Sequence, residues 1–106
     1  MKPGYTYIMG SQTGTLYIGV TSDIYTRVQQ LKNGTFGGFS KEHGCTRLLY
    51  YEQHEDITQS IAREKQLKGW RREKKLNLVR TQNPNFKDLA EQWGWKFITA
   101  HEKMNP

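Results

Sequence analysis

Two β-rich stretches open this chain and restrict its possible folds more than anything after them. Tyr5 to Met9 reads Tyr-Thr-Tyr-Ile-Met, and Leu16 to Val20 reads Leu-Tyr-Ile-Gly-Val. β-Branched and aromatic residues suit a pleated, half-buried surface. Between the stretches, Gly10 to Thr15 is polar and holds two glycines, the composition of a hairpin loop. A hairpin at the start of a 106-residue chain leaves room for one domain and no second core. Gly19, inside the second strand, predicts a bulge or a close backbone approach.

Beyond the hairpin the chain reads as helices and one more strand. Thr21, Ser22 and Asp23 are helix-starting residues, and Ile24, Val28 and Leu31 then recur at helical spacing. Asn33-Gly34 predicts the end of that helix. The stretch 34–46 carries Gly34, Gly37, Gly38 and Gly44, which argues for a long surface loop of the kind that often binds ligands. Leu48 to Tyr51 predicts a third strand. Asp56 opens a helix expected to bury Ile57, Ile61 and Leu67, and Gly69 breaks it. A further helix is expected over Arg71 to Val79, with Trp70 and Leu78 packing and Asn83-Pro84 as its stop. Phe86 to Trp93 reads as one or two more helical turns. The expected fold class is α+β: a three-stranded, mostly antiparallel sheet flanked by helices, in the order β-β-α-β-α-α. The domain is expected over 1–92, with a loosely packed C-terminal tail over 93–106.

Composition narrows the partners. Sixteen Lys and Arg against ten Asp and Glu give a formal charge of +6, which favours polyanions because neutralised phosphates release counterions. Only 35% of residues are apolar, and aromatics at 12% offset part of that deficit by burying large areas behind polar tips. No run approaches the roughly 18 apolar residues of a membrane span. No apolar signal segment follows the N-terminal Met-Lys-Pro-Gly-Tyr. Cys45 is the only cysteine, so internal disulfides are excluded and a reducing, cytoplasmic compartment is expected. Cys45 reads as a small buried residue, and His43 with Cys45 falls short of the four ligands of a zinc site.

Two charged residues sit where helical periodicity predicts burial. Arg27 lies a turn from both Ile24 and Leu31, at the edge of the apolar stripe. Glu64 follows Ile61 by three and Ile57 by seven, near the middle of the expected apolar face. A carboxylate there must be paired, hydrogen-bonded or metal-bound. A structural ion pair, between Glu64 and Arg27 or between Glu64 and a nearby lysine, accounts for the charges alone. The tyrosines add weight to a chemical role. Tyr5 and Tyr7 share one sheet face, and Tyr17 can meet Tyr7 across the hairpin.

These residues resemble the GIY-YIG nuclease superfamily, in particular a small single-domain bacterial branch. Tyr5-Thr6-Tyr7 matches the degenerate first half-motif, and Tyr17-Ile18-Gly19 matches the second literally. Arg27 falls at the family's helix arginine, and Glu64 at its metal-binding glutamate. The resemblance covers roughly residues 5 to 91. It implies hydrolysis of DNA phosphodiesters with Mg2+ or Mn2+. By position, Tyr17 activates the attacking water, Tyr7 orients water or phosphate, Arg27 stabilises phosphate charge, and Glu64 holds one divalent cation. A hard cation that keeps its waters and takes one carboxylate suits a lone Glu64. Arg contacts phosphate bidentately, as Lys cannot. A tyrosine with its usual pKa near 10 is a weak base at neutral pH. Tyr17 therefore needs help from Arg27 and the cation, or only positions water.

The match has a gap. Most family members keep His or Tyr one turn after the arginine, where this chain has Leu31. Losing one acid–base participant commonly lowers rates by about two to four orders of magnitude. His43, in the glycine-rich loop, is a possible substitute. Asn77 is a weak candidate for the family's helix asparagine and reads better as an exposed residue. Lys65, Lys68, Arg71, Arg72, Lys74 and Lys75 form the densest positive run. Within this stretch Lys68, Trp70, Arg71 and Arg72 are candidate nucleic-acid contacts, Trp70 by stacking on a base. A solvated helix face explains the charges as well. Three readings remain: a metal-dependent DNA endonuclease, a DNA-binding module with weak or lost cleavage, and a structural ion pair beneath an interaction surface. Targeting by a protein partner fits the first two.

Overall fold

The hairpin organises the molecule. In the computed structural model, which describes residues 2–34 and 43–93, β1 (Gly4–Gly10) pairs antiparallel with β2 (Leu16–Thr21) and with β3 (Arg47–His54). The sheet order is β2-β1-β3, so β1 is central and β2 and β3 are edges. The loop closes tightly: Ser11 N–H donates to Thr15 O at 3.0 Å, and Thr15 N–H donates to Ser11 Oγ at 2.9 Å. β1 and β3 shift register between Ile8 and Met9, which locates the sheet irregularity there rather than at Gly19. The α+β order expected from sequence is the order observed. Of the predicted glycine-rich loop, residues 35–42 lie outside the described residues, as do residues 94–106 of the tail.

Capping explains where the helices begin. Asp23 caps α1 (Ile24–Asn33) by accepting from Thr26 N–H at 3.2 Å and Thr26 Oγ1 at 2.7 Å. Those bonds, the hydroxyl first, hold its carboxyl below the usual carboxylate range. Gly34 ends α1 in the left-handed region at φ 69°, as the Asn-Gly pair predicts. Asp56 caps α2 (Ile57–Lys68) by accepting from Gln59 N–H at 3.0 Å. The third helix, α3 (Arg72–Gln82), has no side-chain cap bond and runs three residues past the expected Val79. A 3-10 turn over Leu89–Trp93 closes the described chain.

Strand alternation divides the core into two layers. Tyr7 and Met9 face α1 and pack with Ile24, Val28, Leu31, Cys45, Leu48, Ala90 and Trp93. Ile8, Ile18, Leu49 and Tyr50 face the other side and pack with Leu67 of α2 and Val79 of α3. Each fully buried aliphatic or aromatic side chain contributes about 1.5–3 kcal/mol. Cys45 is fully buried, as expected. Trp70 and Leu78 pack against the second layer.

One expectation fails. Ile57 and Ile61 are 37% and 39% exposed, while Ser60 and Leu67 are fully buried. The reason is close approach of α2 to β1. Thr6 Oγ1 donates to Ser60 O at 2.9 Å, and a side chain at Gly4 would collide with Ser60 and the Ile57 backbone. A small residue must face the sheet at such a distance, so the helix turns its isoleucines outward.

Two side chains tie the C-terminal half to β3. The buried Asn83 amide donates to Leu49 O at 3.1 Å and Lys87 O at 2.7 Å, and its carbonyl accepts from Lys87 N–H at 3.0 Å. Asp88 Oδ1 accepts from Leu48 N–H and Ala90 N–H, each at 3.0 Å, while Oδ2 pairs with Lys32. Asn83 thus anchors the chain as well as stopping α3.

Candidate active site

Tyr7 owes its position to Gly19. In the β1–β2 register Tyr7 stands opposite Gly19, and Tyr17 stands opposite Met9. The Tyr7 ring lies over the bare Gly19 Cα, where any Cβ would collide with the hydroxyl and the ring. Of the two roles expected for Gly19, close approach is the one observed. Tyr7 and Tyr17 are diagonal neighbours on one face, with ring centroids 6.3 Å apart and planes tilted by 43°. The two tyrosines do meet across the hairpin, by the diagonal.

Arg27 completes this face from α1. It is half-buried, and Nη1 reaches back to Val20 O at 3.5 Å. The Tyr7 hydroxyl is fully buried and has no hydrogen-bond partner among the described residues. Burial pushes its pKa up to about 12, against the nearby Arg27 guanidinium, which lowers it. The guanidinium biases the hydroxyl without the geometry of a made bond. At neutral pH Tyr7 is therefore a protonated donor aimed into the cluster, and it is unsuited to act as a base. An unpartnered buried hydroxyl is destabilising by about 1–3 kcal/mol, which makes it a candidate for a ligand oxygen.

Glu64 comes from a different layer of the fold. It projects from α2, on the side of the sheet opposite α1, in line with Ser60 and Leu67. Its side chain is 19% exposed, and Oε2 lies 3.4 Å from Lys68 Nζ. A lysine pairing of Glu64, one of the two ion pairs open from the sequence, is present. α2 packs against β1 and against β2, the edge strand that carries Tyr17. Leu31 is buried in the core beside Tyr7, so it offers no polar atom to the cluster.

A family model described as the GIY-YIG catalytic domain matches residues 3–77. The chain belongs to that family. GIY-YIG domains are usually nucleases. UPF0213 proteins of Staphylococcus aureus strains Mu3 and MW2 are each 30% identical over 80 residues, covering 76% of this chain and 98% of theirs. The solution NMR structure of a UPF0213 protein from Bacillus halodurans shares the fold at a TM-score of 0.53 and 23% identity, covering 81% of this chain and 92% of that one.

The remaining candidates of this GIY-YIG domain spread over the α2–α3 corner. Lys68, Arg71 and Arg72 are exposed. The Trp70 ring already carries two cations, Lys74 Nζ at 4.2 Å and Arg63 Cζ at 5.2 Å from its centroid, so a base stacking there must compete with them. His43 is exposed. Asn77 is exposed and accepts from Arg80 Nη1 at 2.7 Å. Among the described residues no three His, Cys, Asp or Glu form a metal-binding group, and no helix is long and apolar enough to cross a membrane. The Asn83 and Asp88 anchors and a network around Glu52 carry no short-range sequence signal. In that network Glu52 Oε1 accepts from Arg63 Nε at 2.8 Å and lies 3.1 Å from His54 Nε2, while Tyr50 donates to Oε2.

Proposed function

We propose that this GIY-YIG domain is a divalent-metal-dependent endonuclease that hydrolyses DNA phosphodiester bonds. The observation that carries the reading is the Tyr7 hydroxyl: buried, protonated, unpartnered, and grouped with Tyr17 and Arg27 on one face of a +6 chain. Tyr17 positions the attacking water. Tyr7 orients a water or phosphate oxygen that enters the cluster, and Arg27 offsets the charge that builds on the phosphate. The new bond forms between water oxygen and phosphorus as the bond to the departing sugar oxygen breaks; the water's proton passes to solvent, and the departing oxygen takes up a proton from solvent. The Glu64 carboxylate fits a cation such as Mg2+ or Mn2+ that takes one protein oxygen and keeps its waters. Held there, it would supply Lewis acidity to the phosphodiester. A cytoplasmic location and a protein partner for targeting belong to the same reading.

The test is magnesium-dependent cleavage of single-stranded, duplex and branched DNA, with Glu64→Gln as control. Cleavage by the wild type alone supports the reading. Equal cutting by both proteins assigns it to a contaminant and overturns the proposal. A second reading, a DNA-binding module with weak or lost cleavage, is favoured by the burial of Leu31 where an acid–base group is usual. Salt-dependent DNA binding without cleavage selects it.

A further inference from the structure

On the sheet face away from the tyrosines, a two-lobed cleft opens beside the hairpin loop. One lobe, of about 300 Å³, has an apolar floor of Leu16, Leu49, Leu76 and Phe86 and a rim with Arg47 and Arg72. The other, of about 520 Å³, is polar and is lined by Thr13, Thr15, Arg72 and Lys75. Arg72, Gly14 and Leu16 border both lobes. No carboxylate lines either lobe among the described residues.

Several contacts build this cleft. Arg72 lies against Gly14, where a Cβ would stand only 2.9 Å from its Nη2. Gly14 has φ 95°, a conformation that favours glycine, so the loop keeps a bare backbone under the guanidinium. Phe86, at φ 52°, is the one non-glycine with positive φ among the described residues. Arg47 caps its carbonyl, and the Arg80 guanidinium stands 5.3 Å from its ring centroid. An apolar slot of this size, joined to a cationic, hydroxyl-lined slot, matches a flat base joined to its phosphate.

We propose that the cleft receives one unpaired nucleotide of a DNA strand. The base enters between Leu16, Leu76 and Phe86, and the adjoining phosphate meets Arg72 and Lys75. Leu16 in the cleft and Tyr17 in the tyrosine face are consecutive residues of the edge strand β2. A strand passing over that edge touches both faces at once. The inference rests on the nuclease reading for its ligand class, and it makes single-stranded or flapped DNA the preferred substrate.

The probe is a short fluorescein-labelled single-stranded DNA, with an abasic oligomer of equal length and a duplex for comparison. Binding is read by anisotropy, and its location by chemical-shift changes of leucine methyls. The expected results are shifts at Leu16 and Leu76, about tenfold weaker binding of the abasic oligomer, and about tenfold weaker binding by Arg72→Glu or Lys75→Glu. Lys2→Glu is the matched control, because it makes the same charge change beyond the far end of β1 and is expected to bind nearly as wild type. Equal weakening by all three variants, or unmoved cleft methyls at saturation, overturns the cleft. If the methyls stay still while wild-type cleavage depends on Glu64, only the cleft fails. If they shift without any cleavage, the nuclease reading fails and the cleft stands. If no DNA binds at all, both fail.

Discussion

The Tyr7 hydroxyl lies directly over the Cα of Gly19, in the space a side chain would need. The glycine of the second half-motif therefore acts as a platform for the tyrosine of the first. The two motifs are one structural unit, held by antiparallel pairing.

Gly19→Ala should displace Tyr7. Overpacking a core position costs about 1–3 kcal/mol, and the ring has nowhere to go within a fully buried layer. The expected outcome is a lower unfolding midpoint in urea together with loss of cleavage. Adding Tyr7→Phe removes the oxygen but leaves the ring carbon Cζ only 2.5 Å from the new Cβ, so it should recover little of the stability and none of the activity. A double-mutant cycle measures this coupling.

Stability should fall at high pH. The folded protein holds the Tyr7 and Tyr50 hydroxyls protonated up to about 12, against 10.0 for an ordinary tyrosine. Both groups are raised by burial, and Tyr50 also by the Glu52 carboxylate to which it donates. Stabilisation from a raised pKa is complete below the unfolded value and lost as pH climbs through the folded one. The loss therefore develops between about pH 10 and 12, with an upper bound of about 3 kcal/mol per group before solvent screening is discounted. Urea melts across that range should show a slope that Tyr7→Phe and Tyr50→Phe each reduce.

Glu64→Gln should separate activity from stability. Its partner Lys68 is 56% exposed, and an exposed i,i+4 pair contributes only about 0.3–0.5 kcal/mol. The thermal midpoint should stay within a degree or two of wild type. Single-turnover cleavage in magnesium should drop by at least about a hundredfold.

Leu31→His should exchange stability for rate. Leu31 is 6% exposed beside Tyr7, so the replacement loses apolar packing and brings a polar ring into the core. A destabilisation of about 2–4 kcal/mol is expected. The imidazole then stands where the family usually has an acid–base group, and cleavage should rise by about a hundredfold. Single-turnover rates at a temperature where both proteins are folded decide the matter.

The two faces of α2 should respond oppositely to substitution. Ile57→Lys and Ile61→Lys replace exposed side chains and should shift stability by no more than about 0.5 kcal/mol. Ser60→Leu places a large group against Thr6 and Gly4, where α2 touches β1, and should unfold the domain or lower its midpoint steeply.

Much of this fold was legible in the sequence, because it is local. Strand alternation put Tyr5 and Tyr7 on one face, Asp23 and Asp56 marked the helix starts, and Ile24, Val28 and Leu31 gave the buried stripe of α1. Contacts between distant segments decided the features that escaped. The isoleucines of α2 fit a helical period, yet the sheet approaches too closely for them, and only the pairing of Gly4 and Thr6 with Ser60 reveals that. Asn83 read as a stop because its bonds to Leu49 and Lys87 depend on where β3 lies. Within the candidate site, Tyr7, Tyr17 and Arg27 assemble from neighbouring elements. Glu64 comes from a helix on the far side of the sheet, a placement that spacing could not reveal.

Placing β1 between the two layers limits how such a chain can diverge. Its odd-numbered residues Tyr7 and Met9 serve the tyrosine layer, and its even-numbered residues Thr6 and Ile8 serve the α2–α3 layer. A one-residue insertion or deletion inside β1 exchanges these sets, sending the Tyr7 hydroxyl among aliphatic side chains and turning Ile8 toward Gly19. Descendants of this chain can lengthen their loops, yet the central strand has to be inherited at constant length.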